Sequence, residues 1–220
     1  MPARWDPECL DQCPIRGVCL DRNRGFPVRE VARGETLFEA GEPLRSFYMV
    51  LWGGFKTEVE LENQEVQIVE LSLRGDMLGT GAMENREHRM TATALTDSRV
   101  CVIPAGRRDT DRMARPLVQV LGQRMRDLQW NSARMRSQSA EQGVIALLLR
   151  VAAAGSGPGG EFRLPFSRGE MGNYLGLAVE TVSRVLQRLQ REGLLTISGR
   201  HLWLQDPSGL WARLRAPAHH

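Results

Sequence analysis

Three thiols sit close together near the start of the chain, Cys9, Cys13 and Cys19 in CLDQCPIRGVC, and only Cys101 is added by the rest of the 220 residues. Thiolates are soft metal ligands and redox-active nucleophiles, so the cluster points to metal binding or redox sensing. The stretch MPARWDPECLDQC has no apolar signal core, so the chain is expected in the cytoplasm. Thiols stay reduced there, which disfavours structural disulfides. The longest apolar stretch, VIALLLRVAAA (144–154), is broken by Arg150 and too short to cross a bilayer, so no membrane partner is expected.

A second constellation lies in SRGEMGNYLGLAVETVSRVLQRLQREGLL. Ser167 followed by Glu170 is a capping-box pair that starts a helix, with Met171, Tyr174 and Leu175 on one face. Gly176 supplies the left-handed stop. A second helix follows, with Val179, Val182, Leu186 and Leu189 as its buried stripe, Val185 beside it, and Gly193 at its end. Two short helices joined by a three-residue Gly-containing turn form a helix-turn-helix, whose second helix enters the major groove of double-stranded DNA. That helix exposes Glu180, Thr181, Ser183, Arg184, Gln187 and Arg188. Arg184 can donate twice to guanine, Glu180 can accept from cytosine, and Ser183 can meet several base edges. LLTISGRHLWLQ alternates around Ser198–Gly199–Arg200 and reads as a hairpin wing able to touch phosphate. Residues 161–220 hold eight arginines against five acids, which accounts for the whole formal charge of +3. That excess agrees with a nucleic-acid partner without requiring one.

These groups must be positioned by the remaining elements. Residues 24–105 read as short strands rich in Val, Ile, Thr and aromatics with glycines between them, an antiparallel barrel or roll. Residues 111–142 read as one long helix. Val118, Leu121, Met125, Leu128, Ser132 and Met135 follow a 3-4-3-4-3 spacing, a heptad seam that favours pairing with a second copy of the chain. AEQGVIALLLRVAAAG is a further helix ending at Gly155, SGPGG a loop and EFRLPF a strand. GSGPGG (155–160) matches G-x-G-x-x-G, but it follows a helix and precedes a strand, the reverse of a dinucleotide-binding turn. His88, beside Glu84 and Glu87, reads as a solvated turn residue. The expected fold is α+β: an arm (1–23), an antiparallel β-roll (24–106), a dimerisation helix (107–142) and a winged helix-turn-helix (143–220).

EFRLPFSRGEMGNYLGLAVETVSRVLQRLQREGLL closely resembles the DNA-binding domain of the Crp/Fnr superfamily of transcription regulators. Within it, GNYLGL and VET.SR look most like the oxygen-sensing Fnr branch. GETLFEAGEPLRSFYMVLWGGFKT and ALTDSRVCVIP resemble that branch's β-roll, a cyclic-nucleotide-binding-like jelly roll. The resemblance implies that Glu180, Ser183 and Arg184 read each half of an inverted repeat close to TTGAT–N4–ATCAA, and that Arg168 and Thr181 contact phosphate. It implies a homodimer that works with RNA polymerase. It also implies a [4Fe-4S] cluster on Cys9, Cys13, Cys19 and Cys101, a ligand set that iron–sulfur chemistry accepts from distant segments. The family's first spacing is C-x2-C and here it is C-x3-C, with Pro14 after the second cysteine. A four-cysteine zinc site and a thiol–disulfide switch are the competing readings of the same thiols. An iron–sulfur enzyme is the rival class, but a radical enzyme of the S-adenosylmethionine type needs C-x3-C-x2-C and a large barrel. The roll of the wider superfamily can hold cyclic AMP through an acid and an Arg-Ser pair. Here Arg89 is in place, Met90 replaces the Ser, and Gly79 or Thr80 stands where the acid belongs, so cyclic AMP is not expected to bind.

Overall fold

The computed structural model describes residues 13, 15, 26–106, 114–122, 125–126, 139–154 and 161–216. Cys9, Cys19, Leu128, Ser132, Met135 and the loop 155–160 lie outside the described residues. The chain divides into two compact units, residues 1–128 and 129–220.

The first unit is a roll of two antiparallel four-stranded sheets. One has the order β1 (Val28–Val31), β8 (Ser98–Pro104), β3 (Ser46–Trp52), β6 (Met77–Leu78). The other runs β2 (Thr36–Phe38), β7 (Thr91–Ala94), β4 (Gly54–Glu60), β5 (Val66–Leu73). Strand side chains alternate between faces, and this alternation sorts the core into two layers. Val50 and Val100 from the first sheet meet Leu37, Phe38, Phe55, Ala92 and Ala94 from the second. One residue along, Phe47, Met49, Cys101 and Ile103 belong to a separate cluster with Phe26, Met77 and Leu117. The first sheet is therefore apolar on both faces. Its second face is covered by Ile15, which is fully buried, and by residues 114–122, which are helical.

That helix has two faces. Leu117 is buried and Val120 partly buried against the roll. Val118 and Met125 are 68% and 63% exposed in the single chain, and Leu121 is half-buried. Ser139 is not helical, so residues 140–142, read above into the long helix, instead form the first turn of the next one. The cause is a second capping box missed in the sequence: the Gln142 N–H donates to Ser139 Oγ at 3.3 Å and the Ser139 N–H donates to Gln142 Oε1 at 3.0 Å.

The second unit packs helices α1 (Ala140–Ala154), α2 (Arg168–Leu175), α3 (Val179–Arg191) and α4 (Pro207–Arg215) with a three-stranded antiparallel sheet of order β10 (Leu195–Ser198), β11 (His201–Leu204), β9 (Glu161–Arg163). Buried Val144, Ile145, Leu148 and Val151 of α1 share this interior with Leu186 and Leu189 of α3 and with Leu210 and Leu214 of α4. α4, which the sequence reading did not register, is capped by Asp206, whose carboxylate accepts from the Gly209 N–H at 2.9 Å, with Pro207 in its first turn. Its C-terminal carbonyls are held by Gln142, whose buried amide donates to Arg213 O at 3.2 Å and Ala216 O at 2.7 Å. Among the described residues no helix is long and apolar enough to cross a membrane.

Candidate nucleic-acid interface and cysteine region

The start of α2 is built as its sequence predicts. Ser167 Oγ accepts from the Glu170 N–H at 3.2 Å, and the Ser167 N–H donates to the Glu170 carboxylate at 2.7 Å. Gly176 closes the helix with φ +66, and the Leu177 N–H donates back to Gly172 O at 2.9 Å. Gly172 is a second requirement of this turn. A Cβ there would stand 2.6 Å from the Leu177 carbonyl oxygen, closer than real Cβ atoms come. The signal was present as a glycine inside a helical pattern, but the partner five residues on became visible only once the turn was folded.

On α3, Val182, Val185, Leu186 and Leu189 are buried as expected, whereas Val179 is 44% exposed and leaves the predicted stripe. Val179 opens the helix directly after the turn, and the buried face begins with Val182, one turn further on. The opposite face carries the predicted readout residues. Glu180 and Arg184 are exposed, and neither side chain makes a hydrogen bond or ion pair among the described residues. Thr181 and Ser183 are half-buried beside them. The Arg168 guanidinium reaches across from α2 and donates to Ser183 Oγ at 3.4 Å, so a proposed phosphate contact and a proposed base contact are joined in the free protein. In the wing, Arg200 follows Gly199 (φ +60) but folds back, donating to Pro165 O at 3.4 Å. This chain's wing arginine is thus engaged internally in the free protein.

Of the four cysteines, Cys13 and Cys101 are described. Cys101 lies in the middle of β8, opposite Val28 of β1 and Met49 of β3, and is buried. Cys13 is half-buried and packs against the same apolar cluster, which also contains Ile15 and Leu117. Two thiols from segments far apart in sequence thus meet one apolar region, beside the helix that carries the exposed seam residues. Among the described residues no three His, Cys, Asp or Glu side chains converge as a metal site.

The roll also carries a partly open pocket of about 240 Å³, lined in part by Thr57, Thr80, Arg89, Met90 and His88. Gly79, Thr80 and Met90, singled out above as the positions where the resemblance expects an acid and a hydroxyl, all line it. Arg89 lies against the Asn85 carboxamide, whose oxygen, assigned from the hydrogen-bond network, accepts from it. Thr57 Oγ1 is buried with no hydrogen-bond partner among the described residues. His88 is buried, not solvated as its acidic neighbours suggested. Its ring stacks on Phe38 with centroids 3.9 Å apart, and its backbone is tied to Glu42 and Gly41. Burial pushes the His88 imidazole to a lower pKa, opposed in part by Glu42.

Comparison with known proteins agrees with this architecture. Residues 142–213 match the Crp-like helix-turn-helix domain, and residues 28–108 match the cyclic nucleotide-binding domain. The chain is 33% identical over 232 aligned positions to the transcriptional activator protein FnrA of Stutzerimonas stutzeri, covering 96% of this chain and 93% of that one. It is 38% identical to the transcriptional regulatory protein btr of Bordetella pertussis, covering 96% and 95%. Among solved structures, FixK2 from Bradyrhizobium japonicum superposes with a TM-score of 0.76 at 27% identity, covering 88% of this chain and 99% of that one. FnrA and btr are, respectively, a transcriptional activator and a transcriptional regulatory protein. With relatives matched along nearly its whole length, and both domains in the order the structure shows, the chain belongs to the Crp/Fnr family of transcription regulators.

Proposed function

We propose that this protein is a homodimeric, cytoplasmic regulator of the Fnr type, in which a [4Fe-4S] cluster held by Cys9, Cys13, Cys19 and Cys101 controls binding to a TTGAT–N4–ATCAA-like site. The observation that carries the reading is the shared apolar region of Cys13, Ile15, Cys101 and Leu117. A buried thiol on a strand and a half-buried thiol on the arm suit a cluster shielded from water, whose stability depends on burial as well as on ligand count. When bound, such a cluster supplies an oxygen- and nitric-oxide-labile link between arm and roll. Cys101 fixes the roll end of that link, and Cys13 with Ile15 fixes the arm end. Leu117 and Val120 connect the same cluster of side chains to the helix bearing Val118, Leu121 and Met125, with Leu128, Ser132 and Met135 continuing the seam. Pairing along that seam presents two copies of α3 to paired half-sites about 34–36 Å apart.

At the DNA, Arg184 and Glu180 read base edges and Ser183 assists, while Arg168 and Thr181 meet phosphate. The wider partner is RNA polymerase. Cyclic AMP is not the expected ligand, because Gly79 or Thr80 and Met90 stand where the resemblance places the groups that hold its ribose and phosphate. Arm (1–23), roll (24–106), seam helix and winged helix-turn-helix are the four parts in this reading, with residues 140–142 assigned to α1 rather than to the seam helix. The proximity of Cys13 and Cys101 in one cluster also favours a second reading, a thiol–disulfide switch. Absorbance, iron and acid-labile sulfide of protein purified without air separate the readings. The cluster reading expects brown protein with about four irons and four sulfides per chain, mostly lost in Cys101→Ala. Colourless protein with one zinc supports the zinc alternative, and colourless metal-free protein leaves the thiol switch.

A further inference from the structure

A cleft of about 530 Å³ opens between the start of α1, the readout face of α3 and the end of α4, with Thr181, Arg184, Arg188 and Arg213 on its walls and Glu141 among them. Glu141 sits in the first turn of α1, where the helix dipole favours an acid. Its two carboxylate oxygens are divided between two guanidiniums. Oε2 accepts from Arg188 Nη1 at 3.1 Å and Oε1 accepts from Arg213 Nη1 at 3.0 Å. Arg213 is also paired with Glu192. The members of this network differ in exposure: the Glu141 side chain is 19% exposed and Arg188 is 56% exposed. The carboxylate is therefore fixed in the fold while the arginine tip stays within reach of solvent.

Arg188 follows Arg184 by one helical turn on the same face of α3, yet the two are treated oppositely. Arg184 makes no ion pair among the described residues. Arg188 is neutralised from within. In a helix-turn-helix the first turns of the recognition helix meet bases, and residues further along it approach the flanking backbone. Contacts to phosphate supply sequence-independent affinity and its salt dependence. We propose that Glu141 is a positioning residue that competes with DNA phosphate for Arg188, and so sets the electrostatic part of DNA affinity without altering which sequence is read. The proposal rests on the DNA-binding reading above and deepens it. Removing the carboxylate's charge releases Arg188 alone, because Glu192 still holds Arg213.

The test is a set of binding isotherms for full-length, anaerobically purified protein on two duplexes of equal length, one with the inverted repeat and one scrambled, across a series of salt concentrations. Glu141→Gln should tighten binding to both duplexes alike, about two- to fivefold per subunit at low salt, the range of one exposed ion pair. It should also steepen the dependence of log K on log salt by about 0.9 per subunit, or roughly 1.8 for a dimer. In the wild-type background Arg188→Ala should leave the slope unchanged, whereas in the Glu141→Gln background it should abolish the gain. An unchanged slope in Glu141→Gln, or weaker binding with the same slope, overturns the proposal and makes Glu141 a structural tie. A change in the ratio between the duplexes also overturns it, because Glu141 would then act through base readout. Arg188→Ala gives an answer even if Glu141→Gln does not fold: a slope reduced by about 1.8 in that single variant means Arg188 already sits on phosphate. Wild-type protein that binds neither duplex overturns the DNA-binding reading itself, and this proposal with it.

Discussion

Replacing Gly172 with alanine sets two opposed effects against each other. Inside a helix, Ala is favoured over Gly by about 1 kcal/mol through backbone entropy. At position 172 the added methyl would lie 2.6 Å from the Leu177 carbonyl oxygen and 3.7 Å from the Val179 backbone nitrogen. The obstruction is backbone, not the end of a flexible side chain, so relief requires the turn between α2 and α3 to open. Overpacking of this kind costs about 1–3 kcal/mol, enough to cancel the propensity gain and leave a net loss of up to about 2 kcal/mol. Because the turn sets the angle between α2 and α3, the Arg168–Ser183 contact and the placement of Arg184 should shift with it. The control is in the same helix: a Cβ at Gly169 meets nothing nearer than 3.8 Å. Gly169→Ala should therefore be neutral or slightly stabilising. Urea unfolding followed by far-UV circular dichroism, with anisotropy titrations on the inverted-repeat duplex, compares the two variants. If Gly172→Ala is as stable as Gly169→Ala and binds DNA equally well, the turn is not held by that close approach.

Other expected outcomes follow from particular side chains. Met125→Glu and Val118→Glu alter residues that are exposed in the single chain, so both variants should fold. Sedimentation should nevertheless shift toward monomer, because pairing would bury unpartnered charges. Arg184→Ala should cost about 1–3 kcal/mol per half-site and relax the preference at the G·C pair, whereas Arg168→Ala should weaken all sequences alike and flatten the salt dependence. Titrations on the consensus and on a G·C-swapped duplex separate the two. His88 is held neutral by burial, so the unfolded chain takes up a proton near pH 6.5 while the folded roll does so only at lower pH. The stability of the roll should be full above that value and fall as pH drops through it, and His88→Phe should flatten the fall in a series of unfolding curves.

What could be read from the sequence was local. Ser167, Glu170 and Gly176 announce a helix and its stop within ten residues of one another, and the structure has both cap and turn. The alternation in SRVCVIP places Cys101 on one face of a strand, although which layer covers that face depends on β3 and on Leu117. The misreadings involved partners far away in sequence. His88 looks solvated beside Glu84 and Glu87 until Phe38 is brought onto its ring. Val179 fits a helical stripe by spacing, but its end of the helix lies beyond the buried face. Gln142 is an ordinary polar residue by type. Its burial follows from α4, whose last carbonyls it binds more than seventy residues downstream. Glu141 and Arg188 are likewise 47 residues apart, so their pairing was invisible in either segment alone.

The central claim, that the cysteine region governs DNA binding, is tested most directly by one titration. Wild-type protein purified without air and Cys101→Ala prepared in parallel are titrated against the same TTGAT–N4–ATCAA duplex at fixed salt, before and after exposure to air. Brown anaerobic wild type should bind tightly and lose colour and affinity in parallel in air, and Cys101→Ala should bind weakly under both conditions. Equal affinity in all four samples would contradict the claim, leaving a DNA-binding regulator whose cysteines do not control the act of binding.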